Sequence, residues 1–277
     1  IDGSTVLCWG ENDSGQLGRD TTKKVGNTSN ESDCAVNDCA LLHWSIIDFG
    51  TTTQGTLNAE KIAAGDNHTC ALLDDGFDKY IKCWGSNDYG QLGIESTASV
   101  SDSSASSITT SSVVSLPTDY EPTNIFAGGN STCAVISSAT ETGIACWGEN
   151  SSGQLGIGST ENIGDDTEEM GDNLQLIDFG DGLSPKNRNG DIYLSMGSSH
   201  VCTNLFDSNY LSQVKCWGNN DVGQLGLGHS SNIGDESDEM GNQLKDINLK
   251  TWSNQSSFTV DVRGFDINAG SVEVNVY

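Results

Sequence analysis

The sequence predicts an all-β repeat fold, and three observations support this prediction. An eleven-residue motif occurs in four copies, and eight of its positions are identical in every copy. The 277 residues include 33 glycines and only three prolines, a composition that suits short strands joined by tight turns. A second element, with a cysteine five residues after a glycine, precedes three of the four copies.

The eleven-residue motif has the form CWGxNxxGQLG and occupies residues 8–18, 83–93, 146–156 and 216–226. Its glycines suit backbone positions with positive φ, and its asparagine can close the turn through side-chain hydrogen bonds. The tryptophan and the leucine offer apolar faces that a neighbouring unit would bury. In chain order, the motif asparagines are Asn12, Asn87, Asn150 and Asn220. The tryptophans are Trp9, Trp84, Trp147 and Trp217, and the leucines are Leu17, Leu92, Leu155 and Leu225.

The second element begins at Ile62, Ile125 and Tyr193, and a polar stretch separates it from the motif that follows. This pattern predicts a strand, a hairpin and a second strand in each unit. A further short segment recurs downstream, at 46–50 and 176–180 with a looser copy at 244–249. Each unit is therefore expected to contain three or four strands.

The repeated CWGxNxxGQLG motif resembles the repeat of the regulator of chromosome condensation family. The resemblance implies a β-propeller, although members of that family usually have seven blades and this chain would have four longer ones. It covers most of the chain apart from the inserted loops and part of the C-terminal stretch. Because that fold hosts nucleotide exchange, light sensing and protein inhibition in different relatives, the resemblance is a weak guide to function.

The two ends of the chain look like two parts of one blade. Residues 265–277 match the start of a further unit, and Val272, Val274 and Val276 alternate as an assembly strand would. The missing continuation is the N-terminal segment, where an Asp-Gly turn precedes the first motif. The C-terminal strands would complete the first blade either of the same chain or of the next molecule. Blades shaped for a larger ring favour the second arrangement.

A single domain covering residues 1–277 follows from this register. Blade one comprises residues 1–60 together with the C-terminal strands at 258–277. Blades two, three and four comprise residues 61–122, 123–191 and 192–257.

The nine cysteines predict disulfides within the blades. Three pairs, 13 or 14 residues apart, lie on strands expected to be neighbours, and a fourth pair would staple an inserted loop. The predicted bonds are Cys70–Cys83, Cys133–Cys146, Cys202–Cys216 and Cys34–Cys39. Cys8 is left unpaired, because Asn275 takes the facing position. The alternative is a set of reduced cysteines packed as small apolar side chains; disulfides would instead indicate an extracellular or cell-surface protein.

Seven N-x-S/T sequons permit glycosylation in a eukaryotic source. Asn27, Asn30 and Asn254 lie in apparent loops and are the stronger candidates. Asn67 and Asn130 lie beside a predicted strand, and Asn12 and Asn150 belong to the repeated motif.

The charge of the chain excludes some classes of partner. Asp and Glu number 39 against 12 Lys and Arg, and the net charge of −27 makes nucleic acid an unfavourable partner. No apolar run approaches the roughly 20 residues needed to span a bilayer, so membrane insertion is not expected. The chain begins without Met, which suggests a processed product or a segment of a longer protein.

No catalytic residue or cofactor site is expected, because the candidate side chains belong to repeats rather than to a unique constellation. Two acidic stretches, at 163–174 and 233–244, are weak candidates for calcium, but they lack the spacing of an EF-hand, and solvated acidic loops are the favoured alternative. The candidate ligands are Asp165, Asp166, Glu168, Glu169, Asp235, Glu236, Asp238 and Glu239.

These observations favour a non-catalytic extracellular structural protein that forms a head-to-tail fibre or surface layer with copies of itself. The alternative is a closed propeller that binds an extracellular protein or glycan. Guanine nucleotide exchange is the least favoured function, because the acidity and the cysteine pattern argue against it.

Overall fold

The computed structural model describes residues 6–18, 22, 24, 47–101, 108–186, 189–190 and 192–247. The chain divides into two compact units, Ile1–Ile247 and Asn248–Tyr277. The second unit lies wholly outside the described residues, and so do the predicted assembly strand at Val272, Val274 and Val276 and the position of Asn275.

Within the described residues, nine strands form three antiparallel sheets, each with its three strands in chain order. The first sheet contains β1 (Asn58–Ala64), β2 (His68–Asp74) and β3 (Lys79–Gly85). The second contains β4 (Glu121–Gly128), β5 (Ser131–Ser137) and β6 (Thr142–Gly148). The third contains β7 (Leu194–Met196), β8 (His200–Phe206) and β9 (Ser212–Gly218).

The prediction of an all-β fold built from strand–hairpin–strand units is confirmed. The three sheets have the form of propeller blades, and within the described ranges none of them closes into a barrel. The count of four blades stays a prediction.

The register between the second and third strands of each sheet places the repeat cysteines opposite one another. Cys70 pairs with Cys83, Cys133 with Cys146, and Cys202 with Cys216 across the two strands. All three pairs are joined as disulfides, as the sequence predicts. The predicted Cys34–Cys39 bond lies outside the described residues.

The fourth strand of each unit is reduced to isolated contacts. A single backbone amide donates to the motif strand, from Ile47 to Val6 (3.3 Å), Val114 to Ile81, Ile177 to Ile144 and Ile247 to Val214 (2.8 Å each). Next to two of these contacts lie the isolated bridges Ala145↔Leu176 and Lys215↔Asp246. The described parts of these recurring segments, 47–50 and 176–180, therefore contact the outer edge of a unit without forming a regular strand.

The apolar core lies both within the units and between consecutive units. Trp84, Trp147 and Trp217 are fully buried. Phe49 of the first unit packs on Trp84 with ring centroids 5.8 Å apart, and Phe179 packs on Trp217 at 5.7 Å. Trp84 and Trp217 thus each receive an aromatic side chain from the unit before them. No helix in the described ranges is long and apolar enough to cross a bilayer.

Candidate assembly site

The asparagine of each motif fixes the turn that follows the motif strand. The Asn150 Oδ1 accepts a hydrogen bond from the Leu155 amide (2.9 Å), and its Nδ2 donates to the Ser159 carbonyl (2.8 Å). The Oδ1 atoms of Asn12, Asn87 and Asn220 accept equivalent bonds from Leu17, Leu92 and Leu225 at 2.9–3.0 Å. All four asparagines are fully buried, so Asn12 and Asn150 are poor glycan acceptors in the folded protein.

Each turn presents a glutamine carbonyl to the tryptophan of the next unit. The indole Nε1 of Trp84 donates to the Gln16 carbonyl at 2.9 Å, that of Trp147 to Gln91 at 3.1 Å, and that of Trp217 to Gln154 at 3.0 Å. At the first two junctions a threonine hydroxyl, from Thr69 or Thr132, donates to the same carbonyl at 2.9 Å. The described residues therefore contain the same contact three times.

Two glycines of the motif make room for this contact. A Cβ added to Gly93 would lie 2.8 Å from the Trp147 Nε1, which is closer than side chains allow. A Cβ on Gly90 would meet the backbone of Asp165. At the junction before this one, Gly18 faces Trp84 and Gly15 faces Ser101. At the junction after it, Gly156 faces Trp217 and Gly153 faces Asp235. These glycines are required by the close approach of the following unit as well as by their positive φ.

The two acidic stretches belong to the same junctions. In the first, the Glu169 carboxylate accepts hydrogen bonds from the amides of Gly164 (2.7 Å) and Asp166 (3.0 Å) and so folds the loop onto itself. The Glu239 carboxylate does the same with Gly234 and Glu236 at 2.8 and 3.2 Å. Burial raises the pKa of the Glu239 carboxyl.

The calcium interpretation of these stretches has no geometric support. In the part of the chain that the structure describes, no three acidic, histidine or cysteine side chains are grouped closely enough to hold a metal ion. The two loops pack instead on the preceding unit, where Asp165 and Asp235 each place their backbone against a glycine. The eight candidates divided between these loops are Asp165, Asp166, Glu168, Glu169, Asp235, Glu236, Asp238 and Glu239.

The first unit lies at one side of this series of junctions, and its residues 6–10 are here named the first-unit edge. Trp9 is 65% exposed, whereas the other three motif tryptophans are fully buried. A Cβ added to Gly10 would meet nothing within 4 Å, whereas one on the equivalent Gly148 would meet the Asn130 carbonyl and the Gln91 backbone. The described part of this unit contains no hairpin like those of the three sheets.

The terminal socket, which we define as residues 222–226, ends the series on the other side. Gly223, Gln224 and Gly226 are all more exposed than their buried counterparts in the other three motifs. A Cβ on Gly223 would meet nothing within 4 Å, and one on Gly226 would meet only Ile247, at 3.4 Å or more. No tryptophan among the described residues lies on this socket.

Cys8 lies in the first-unit edge and is a free, half-buried thiol. Burial raises the pKa of this thiol. Its proposed neighbour, Asn275, lies outside the described residues.

The remaining sequons have different surroundings. Asn67 is exposed, and its Oδ1 accepts a hydrogen bond from Gln16 Nε2 at 3.4 Å. Asn130 is half-buried and donates through Nδ2 to Glu149 at 3.0 Å. The stronger candidates, Asn27, Asn30 and Asn254, lie outside the described residues, and glycosylation of these sites stays a prediction.

Buried lysines are a feature that the sequence analysis missed. The Lys82 ammonium donates to the carbonyls of Phe49 (3.0 Å), Ile108 (2.9 Å) and Thr109 (3.2 Å). Lys215 donates to the Phe179 carbonyl at 3.3 Å. Burial lowers the pKa of both amines. In the sequence, this feature is visible as a lysine two positions before the tryptophan of the second and fourth motifs. Each of these lysines binds a backbone carbonyl of the preceding unit.

Comparison with known proteins supports the repeat fold. The family model described as the regulator of chromosome condensation (RCC1) repeat matches residues 59–91, which cover the first sheet and the turn after it. The chain is similar to yeast RCC1 (Prp20), whose crystal structure has Kap60 bound to it, with a TM-score of 0.54 and 18% identity over 90% of this chain and 45% of that chain. Human WBSCR16 aligns with a TM-score of 0.48 and 17% identity over 82% and 51%. The chain thus spans about half the length of these proteins, and the likeness to the yeast protein is one of fold alone.

Proposed function

We propose that this protein is a non-catalytic extracellular structural subunit that assembles head-to-tail with copies of itself. The observation that carries the proposal is a pair of partly exposed surfaces: the first-unit edge with its exposed Trp9, and the terminal socket with its exposed Gly223 and Gly226. They correspond to the two halves of a contact that occurs three times inside the chain. A contact between two different surfaces produces a filament when its rotation does not close a ring.

The cysteines support an extracellular location. In each of the three sheets a disulfide joins the second and third strands. Such bonds form and persist in oxidising compartments and are rare in the cytosol.

The charge of the chain argues against a polyanionic partner. A net charge of −27 opposes binding to nucleic acid. It also opposes association of like-charged copies at long range, so the contact surfaces themselves must supply the binding free energy.

Assembly can be tested by mass photometry and negative-stain microscopy over a range of protein concentrations. We expect particle length to grow with concentration in one dimension. Discrete monomers at every concentration would contradict the proposal.

A second candidate function is a propeller that binds an extracellular protein or glycan through its hairpin tips. Phe77, at the β2–β3 tip, is 74% exposed, and Leu211, before β9, is 65% exposed. Hydrogen bonds link the residues of the β2–β3 tip: those that Asp75 accepts from the Asp78 amide and the Thr52 hydroxyl lower the pKa of its carboxyl to about 2. Saturable capture of a partner by a stable monomer, lost in a Phe77→Ser and Leu211→Ser double variant, would favour this function.

Guanine nucleotide exchange remains the least favoured function. No acceleration is expected in an exchange assay with small GTPases, and measurable acceleration would reverse this ranking.

A further inference from the structure

The three internal junctions define what a surface must offer to fill the terminal socket. At each one, a tryptophan donates its indole N–H to the glutamine carbonyl and lies on the last glycine of the motif. A loop of the following unit covers the other motif glycine, three residues before the last one, with its backbone. An occupant of the socket therefore needs an accessible tryptophan at the end of an extended segment.

Among the described residues, the first-unit edge is the segment that meets the requirement. It has the motif sequence, and its tryptophan, Trp9, is exposed. Its glycine, Gly10, has a φ of 117°, close to the 100–106° of its counterparts, so this residue already has the backbone φ that the internal junctions use. Within one molecule, the exposure of Trp9 and of the socket shows that the edge does not fill its own socket.

We propose that residues 6–10 of one molecule dock on residues 222–226 of a second copy, with the Trp9 indole donating to the Gln224 carbonyl. The contact reproduces that of Trp217 with Gln154. This inference rests on the proposed function, because it names the surfaces through which the copies would assemble.

Two substitutions test the two halves of the contact separately. Trp9→Ala removes the docking side chain and changes an exposed residue. Gly223→Asn places a side chain where the three internal junctions have none, and Asn tolerates its φ of 79° better than other residues. Gly76→Asn is the matched control, since Gly76 also has positive φ (94°), has nothing within 4 Å of an added Cβ, and lies at a hairpin tip away from the socket.

Sedimentation velocity would measure association of each variant, with circular dichroism and thermal melting to show that each is folded. We expect Trp9→Ala and Gly223→Asn to weaken self-association by about 100-fold or more, as loss of a central anchor does, and Gly76→Asn to behave as the wild type. A 1:1 mixture of the two test variants keeps one intact edge and one intact socket, and should form dimers that do not grow further.

The behaviour of the wild type and of the variants separates two outcomes: association through other surfaces, and no association at all. If the wild type assembles and the two variants assemble equally well, the copies associate through other surfaces and the inference is wrong. A mixture that stays monomeric would also overturn it. If the wild type itself stays monomeric, both the proposed function and the inference are wrong.

Discussion

His68 shows how a repeat position acquires an acid-sensitive role at the residue scale. The Thr132 hydroxyl donates to the Gln91 carbonyl, so its oxygen accepts a hydrogen bond from the His68 Nε2, 2.9 Å away. The other ring nitrogen, Nδ1, is buried and has no hydrogen-bond partner among the described residues. Protonation would place a charge at this buried nitrogen, and burial accordingly lowers the pKa of His68 to about 4.

We therefore expect His68→Ser to make stability less sensitive to acid. Between the folded pKa of about 4 and the ordinary value of 6.5, the unfolded chain binds a proton that the folded chain does not, so stability falls as the pH falls through this window. The loss between pH 7 and pH 5 is about 2 kcal/mol for the wild type. Urea unfolding at both pH values would measure it. Serine occupies the equivalent position 131, and an unchanged pH dependence in the variant would contradict the assignment.

A second residue-scale prediction compares two glycines with the same backbone conformation. Gly93 and Gly226 have φ values of 65° and 69°, but only Gly93 carries a tryptophan, Trp147. Alanine at either position costs about 1–2 kcal/mol for its positive φ. Gly93→Ala should cost about 1–3 kcal/mol more, because the indole must move. Urea unfolding below the concentration of assembly would show the difference, and equal losses would exclude a packing role for Gly93.

At the element scale, the hairpins should depend on their cross-links. Replacing Cys133 and Cys146 with alanine should lower the free energy of unfolding by about 3 kcal/mol, the chain-entropy value for a loop of this size. Cys8→Ala is the control, since it removes a cysteine without removing a cross-link. Denaturant unfolding of both variants measures the difference, and a similar loss in the two would contradict a stabilising role for the disulfide.

The hairpins were predictable from the sequence because their signals are local. The repeat cysteines, the turn residues between them and the motif glycines all lie within one unit, so their spacing fixed the register of Cys133 and Cys146. The choice between three and four strands per unit stayed open, because a sequence such as that at 176–180 can recur for one hydrogen bond and one aromatic contact. The acidic loops were ambiguous, because a carboxylate that binds backbone amides, like Glu169, has the same sequence signature as a cation ligand.

The junctions themselves could not be predicted from the sequence. They depend on backbone atoms, the Gln91 carbonyl for example, whose position follows only from the packing of one unit on the next. An incomplete first unit stays a prediction, because the strands expected to complete it lie outside the described residues. The terminal socket required the comparison of Gly223 and Gly226 with their buried counterparts.

At the scale of the whole molecule, the net charge of −27 predicts how assembly responds to salt. Raising the ionic strength from about 10 mM to about 100 mM shortens the screening length from about 30 Å to about 10 Å and reduces repulsion between copies. We expect self-association to strengthen over this range, as measured by sedimentation velocity. Association that weakens with salt would indicate an interface held by opposite charges, contrary to the apolar and backbone contacts proposed.

The dissimilarity of the two ends gives the subunit a direction. At any length, one end of the proposed fibre presents the Trp9 indole and the other end presents the Gln224 carbonyl. A cell-surface anchor that recognised only one extremity would therefore make every fibre point the same way, with all new subunits added at the far tip.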